Sequence, residues 1–217
     1  MTNHFEEFED QYSFTDEEIF TKIWTSPRKV FNFIHKTNHD KYLIILLFLS
    51  GVVRAFDRAS LKNLGDTLSL WSIIAVCIIF GGLFGWITYY IYAGLVSWTG
   101  KWLDGKSTTK AILRILSYAM IPSVLSGIFL IPQLIIYENE IFKSDGDIWS
   151  ADLVSNILFY GSLFFEFLLS IYSIALCVIG LSEVQSFSLG KAILNLLFPI
   201  LIFIIPILVI SILITNF

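Results

Sequence analysis

Residues 67–100 form a run of 34 positions without a single Asp, Glu, Lys or Arg. A helix needs about 20 apolar residues to cross a hydrocarbon core of about 30 Å, so this run exceeds what one upright crossing requires. Three further segments, 115–137, 153–182 and 192–217, are nearly as free of charge. With 56% hydrophobic and 15% charged residues, the chain has the composition of a polytopic membrane protein rather than of a soluble domain. Lipid offers no water to unpaired backbone groups, so each crossing must be a helix or part of a closed barrel. The apolar runs lack the two-residue alternation of barrel strands, which selects helices.

The predicted fold is therefore all-α: a membrane helix bundle of about five spans behind a short amphipathic N-terminal segment. The spans are expected at 42–61, 68–98, 112–137, 153–182 and 192–214, which divides the chain into an N-terminal segment (1–41) and a membrane domain (42–217). The first span is atypical, because only 11 residues, 43–53, precede the charges of Arg54, Asp57 and Arg58. The second is too long: as a straight helix its uncharged run would measure about 51 Å, so tilt or a break near Gly81-Gly82 must absorb the excess.

Lysine and arginine set the expected orientation. With the N-terminus inside, inner segments carry 10 of the 14 Lys and Arg residues, which places the N-terminus in the cytoplasm and the C-terminus outside. Trp98, Lys101 and Trp102 then read as interfacial anchors at one surface, with Tyr137 and Trp149 at the other. The N-terminal stretch is acidic and shows no apolar core with a small-residue cleavage site, so no removable signal peptide is expected. Before the membrane, Thr15 and Glu18 have the form of a capping box. A second short helix starts at Ser26-Pro27, and its apolar Val30, Phe31 and Ile34 would lie either on the cytoplasmic leaflet or on the protein's own helices.

Glu166 is the costliest residue, with 13 uncharged positions before it and 16 after. A carboxyl at that depth faces a bundle interior or a partner, and intramembrane ionisable groups are functional candidates. Arg54, Asp57 and Arg58 share one helical face and form the rest of a candidate intramembrane polar site, with an Arg54–Glu166 pair as its sharpest version. Snorkelling of the arginines to the interface is the competing explanation. Small residues at four-residue spacing, Gly81 and Gly85 in one span and Ala119, Ser123 and Gly127 in the next, provide helix-packing faces. Such faces are expected to pack helices within one bundle, with the seam of a homo-oligomer as the alternative. His35 and His39 are four apart but have no third ligand, so a solvated surface rather than a metal site is expected. Cys77 and Cys177 lie in apolar runs as small hydrophobes. The sequence has no clustered basic surface for nucleic acid, no catalytic motif and no cofactor signature.

Three stretches carry a family resemblance. Ile23-Trp24-Thr25-Ser26-Pro27 leads into a short aromatic helix. Trp98-Thr99-Gly100-Lys101-Trp102-Leu103-Asp104-Gly105-Lys106 is followed by Ser117-Tyr118-Ala119-Met120-Ile121-Pro122. Gly180-Leu181-Ser182-Glu183-Val184-Gln185-Ser186-Phe187-Ser188 leads to Lys191-Ala192. In order and spacing they resemble the Yip (Ypt-interacting protein) domain family in its bacterial branch. The resemblance implies five spans and a cytosolic N-terminus. Eukaryotic members act in secretory-membrane trafficking with Rab-type GTPases, but their Asp-Leu-Tyr-Gly-Pro motif is absent here, so GTPase binding is not implied. The expected function is that of a non-enzymatic protein of the bacterial inner membrane. It would act on membrane lipids or on a protein partner reached through the N-terminal segment, in membrane organisation or a trafficking-like role. The alternative is a small transporter, channel or lipid-moving protein built around Glu166 and Arg54.

Overall fold

A computed structural model describes residues 13–148 and 152–215. Every regular element among them is helical. Two short helices, α1 (Asp16–Lys22) and α2 (Pro27–Lys36), precede α3 (Leu43–Leu61). Then α4 (Leu70–Val76) passes through a π-helical segment, Cys77–Gly81, into α5 (Gly82–Gly100). After α6 (Thr109–Ala119) and α7 (Ile121–Tyr137) come the long α8 (Leu153–Gln185) and α9 (Leu189–Thr215).

Among the described residues, four helical stretches are long and apolar enough to cross a membrane: Leu70–Leu103, Thr109–Tyr137, Leu153–Gln185 and Leu189–Ile207. Only 18% to 28% of their apolar windows is buried inside the protein, so most of each surface calls for lipid rather than water. The fifth helix, α3, has a spanning length of 19 residues, but Arg54, Asp57 and Arg58 crowd its second half. The over-long second span is not cut at Gly81-Gly82. The π-helical segment ends there instead, a change of hydrogen-bond register within a continuous helix. Trp149 lies outside the described residues.

The chain forms two compact units. The first gathers the residues up to His39, Tyr90–Leu116 and those from Cys177 onward; the second comprises Asp40–Tyr89 and Ser117–Leu176.

In the first unit, the Thr15 side chain caps α1. Its oxygen accepts from the Glu18 N–H at 3.3 Å while the Thr15 N–H donates to the Glu18 carboxylate at 2.9 Å, completing the capping box. That backbone hydrogen bond, with Lys22 four residues on, holds the Glu18 carboxyl below its ordinary pKa. Pro27 occupies the first turn of α2, where its missing N–H costs nothing. Val30, Phe31 and Ile34 are fully buried. A Cβ placed on Gly180 would stand 3.2 Å from the Phe31 ring, so α2 rests on α8, and Arg28 adds a 3.2 Å ion pair to Glu183. The apolar face of α2 is thus covered by the protein's own helices and not by a leaflet. The hydrophobic pattern is the same for both outcomes, and the flat site at Gly180 decides between them.

The two histidines also depart from the solvated surface expected of them. His39 pairs with Asp16 at 3.5 Å and its side chain is 19% exposed. His35 Nδ1 is buried with no hydrogen-bond partner among the described residues. Burial, with the Arg114 charge adding to it, pushes the His35 imidazole below its ordinary pKa of 6.5. A depressed histidine contributes stability that is complete above its unfolded value and is lost as pH falls through the folded one. Lowering the pH from about 7.5 to about 5.5 should therefore reduce the melting temperature of the detergent-solubilised protein more than that of His35→Gln, and equal losses would remove His35 as the cause.

In the second unit, α3 and the α4–α5 helix meet at glycine. A Cβ on Gly85 would lie 2.5 Å from Gly51 Cα, one on Gly81 would lie 2.5 Å from Ala55 Cβ, and one on Gly51 would strike the Gly81 carbonyl. Backbones this close associate through dispersion contacts that larger residues would hold apart. Gly127 of α7 faces α3 as well, at Val53. A cluster of Phe56, Ala59, Ile73, Cys77, Tyr137 and Phe142 closes one end of the unit. Replacing Gly85 by Leu should cost about 1–3 kcal/mol in thermal unfolding, whereas Gly161→Leu, where a Cβ meets nothing within 4 Å, should cost far less.

Candidate functional site

Glu166 lies near the middle of α8 and is half-buried in the second unit. Its Oε1 accepts a hydrogen bond of 2.7 Å from the side-chain amide of Gln133 on α7, itself only 6% exposed. This pair is one rung of a ladder between antiparallel helices. One turn before Gln133, Phe129 stacks on Phe165 with ring centroids 5.5 Å apart. One turn after it, Tyr137 meets the edge of Phe159 at 5.2 Å. Phe129, Gln133 and Tyr137 are spaced by four, so one face of α7 presents two rings with an amide between them.

The ion pair expected between Arg54 and Glu166 does not form. Arg54 stands over the Tyr89 ring, 5.6 Å from its centroid, and its charge acts on Asp57. Asp57 in turn is near enough for its charge to act on Glu166. Arg58 lies one turn further along the same helix surface. Together with Arg54 and Lys62 it lines a cleft of about 320 Å³ between α3 and the α4–α5 helix. Glu166 is not among the residues lining that cleft, nor among those around a shallow depression at Glu138–Asp147. In that loop Glu140 accepts from Lys143 at 2.6 Å and from the Asp147 N–H at 3.1 Å, which holds its carboxyl below the ordinary pKa. Among the described residues no group of three or more His, Cys, Asp or Glu is placed to hold a metal ion.

The small residues of the third span have separate tasks. Ala119 is fully buried, the Ser123 N–H donates to Ser173 Oγ of α8 at 3.0 Å, and Gly127 meets Val53. Ser123 is in the first turn of α7, where backbone N–H groups have no partner within the helix, so the Ser173 hydroxyl completes it. Trp98 and Trp102 are half-exposed and in edge contact at 4.8 Å, and Trp102 also reaches Phe198 at 6.2 Å. Lys101 is exposed between them.

Two of the stretches that carry the resemblance meet in the first unit around Gln185, which is 2% exposed. Its side-chain oxygen accepts the Ser107 N–H at 3.0 Å and its amide donates to Asn195 Oδ1 at 3.3 Å. The Asn195 amide then donates to the Val96 carbonyl at 3.0 Å and to Thr99 Oγ1 at 2.9 Å. Gly100 and Gly105 leave the room this needs: a Cβ on Gly105 would lie 2.5 Å from Gln185 Oε1, and one on Gly100 would strike the Gln185 amide nitrogen. Nearby, Ser182 Oγ donates to the Phe187 carbonyl at 2.6 Å and Ser186 takes a positive φ of 57°, so the α8–α9 turn folds against the loop that follows α5. Thr99, Ser182, Gln185 and Asn195 thus form one buried polar knot.

Comparison with known families agrees with this convergence. A Yip1 domain model matches residues 21–210. The chain belongs to the Yip1 domain family. The matched length takes in α2, every membrane-crossing stretch and the Gln185 knot, so this Yip-family chain is an integral membrane protein through nearly its whole length. No curated protein and no solved structure matches it. Asn195 is not a candidate from sequence. The signal that could have found it is a lone amide in the first turns of an otherwise apolar helix, which lipid tolerates only when it is paired.

Changing Gln185 to Leu strands the Ser107 N–H and the Asn195 oxygen. It should cost about 1–3 kcal/mol in thermal unfolding, and a Gln185→Leu/Asn195→Leu double variant should lose less than the sum of the two single changes.

Proposed function

We propose that this Yip-family protein is not an enzyme and acts by interaction, with membrane lipids or with a protein partner, rather than by passing a solute across the bilayer. The observation that carries this reading is the way Glu166 is held. Its Oε1 accepts from the buried Gln133 amide between two aromatic contacts, and neither the α3 cleft nor the Glu138–Asp147 depression includes it. A conducting or carrying site needs its ionisable group to reach a water-filled path. Here the group is bonded into a helix seam.

A protein partner would meet the polar side of α1 and α2. Ile19, Ile23, Val30 and Phe31 are buried, which leaves acidic residues such as Glu17 exposed. Location in a bacterial inner membrane belongs to the same reading and rests on the missing Asp-Leu-Tyr-Gly-Pro motif, while the cytoplasmic N-terminus rests on the distribution of Lys and Arg.

Purified protein reconstituted into liposomes should give ion leak and fluorescent-lipid scrambling indistinguishable from protein-free liposomes, and Glu166→Gln should change neither. Flux or scrambling that is lost in Glu166→Gln would overturn the interaction reading in favour of transport.

A further inference from the structure

The cleft between α3 and the α4–α5 helix has a lining of two characters. On the α3 side are Arg54, Arg58 and Lys62, spaced by four residues, so their cationic heads rise along one stripe about 12 Å long. On the opposite side are Val76, Phe80 and Phe84. The two rings stack with centroids 5.9 Å apart and are 58% and 53% exposed. No Asp or Glu lines the cleft. Asp57, the carboxylate of the same stretch of α3, interacts with Arg54 and is not among the lining residues. Arg58 and Lys62 have no carboxylate partner among the described residues, and both are exposed. The π-helical segment Cys77–Gly81 underlies this apolar wall, and such segments recur where a helix is reshaped around a site.

Uncompensated cations facing an exposed apolar wall, in a helix pair of the membrane domain, complement one class of molecule. We infer that this cleft binds an anionic phospholipid, its phosphate at Arg58 and Lys62 and the start of an acyl chain along Phe80 and Phe84. A cavity of about 320 Å³ holds a headgroup and the first methylenes, and the rest of the chains stay in the bilayer. Two simpler roles for the cations fall short. Interaction with the α3 C-terminus would favour Arg58 and Lys62 but requires no facing wall. Snorkelling places cations among headgroups of any kind and predicts no preference for anionic ones.

The inference rests on the interaction reading and names the lipid class and the place. Its test is binding, not flux, so scrambling by liposomes would defeat the earlier reading while leaving the cleft's preference to be measured on its own. Full-length protein in detergent is mixed with equal amounts of phosphatidylglycerol and phosphatidylcholine, and bound lipid is counted by native mass spectrometry. Phosphatidylglycerol should be retained roughly tenfold over phosphatidylcholine. The preference should vanish in Arg58→Gln/Lys62→Gln and survive in the charge-conserving Arg58→Lys/Lys62→Arg. Free glycerol 3-phosphate should not displace the lipid. Equal retention of the two lipids, a preference that persists in the Gln double variant, or displacement by glycerol 3-phosphate would each overturn it; the last would make the cleft a site for a free phosphate.

Discussion

Water is missing as a hydrogen-bonding partner along most of this chain, and the consequence is plainest at Gln185. Its amide is one of few groups at its level able to satisfy a backbone N–H from the loop after α5 and a side chain from α9 together. In an aqueous protein such groups could each turn to solvent at little cost. Buried here, each would forfeit the whole of its hydrogen-bonding energy if its neighbour moved. The loop after α5, the α8–α9 turn and the start of α9 are therefore held in register by polarity. Gly100 and Gly105 belong to the same device, since any side chain there would occupy the space of the Gln185 amide.

The second unit is held by other means. Gly51, Gly81 and Gly85 bring two helix backbones into direct contact, where lipid would otherwise be as good a neighbour as any side chain. Between α7 and α8, aromatic rings at either side of the Gln133–Glu166 bond supply area and shape, while the bond itself sets which turn meets which. A single polar rung in an apolar seam adds less to stability than to register, because a slip of one turn would leave both Gln133 and Glu166 unpaired.

Hydropathy makes the helices legible because their length is dictated by the thickness of a bilayer. The first span is expected at 42–61 and the helix is Leu43–Leu61; the third is expected at 112–137 and the stretch runs Thr109–Tyr137. Where helices run past their apolar limits, polar partners inside the protein explain it: α8 continues beyond Ser182 to Gln185 because Glu183 pairs with Arg28 and Gln185 enters the knot. Choice of partner is not legible in the same way. Arg54 and Gln133 are both able to bond a carboxylate, and only the rotation of α7 against α8 gives Glu166 the amide. The amphipathic pattern of α2 likewise does not say which apolar surface it will cover. The π-helical register at Cys77–Gly81 leaves no trace in hydropathy, because every residue in it is apolar or glycine.

The charges in α3 look at first like a defect in a membrane helix, and they spoil its apolar signal. Their arrangement points the other way. Arg54, Asp57 and Arg58 could have cancelled one another along a single stripe, which would have been the least costly way to keep them near lipid. Instead Asp57 interacts with Arg54 alone among these cations, and Arg58 faces the cleft with Lys62. A cation without a carboxylate partner near lipid raises the energy of the helix, and the rise is offset only if it meets a complement outside the helix. Asp57 has Arg54 close by. Arg58 and Lys62 have a cleft with an apolar wall and no acid, so the complement they lack among the described residues is an anion that arrives with an apolar tail.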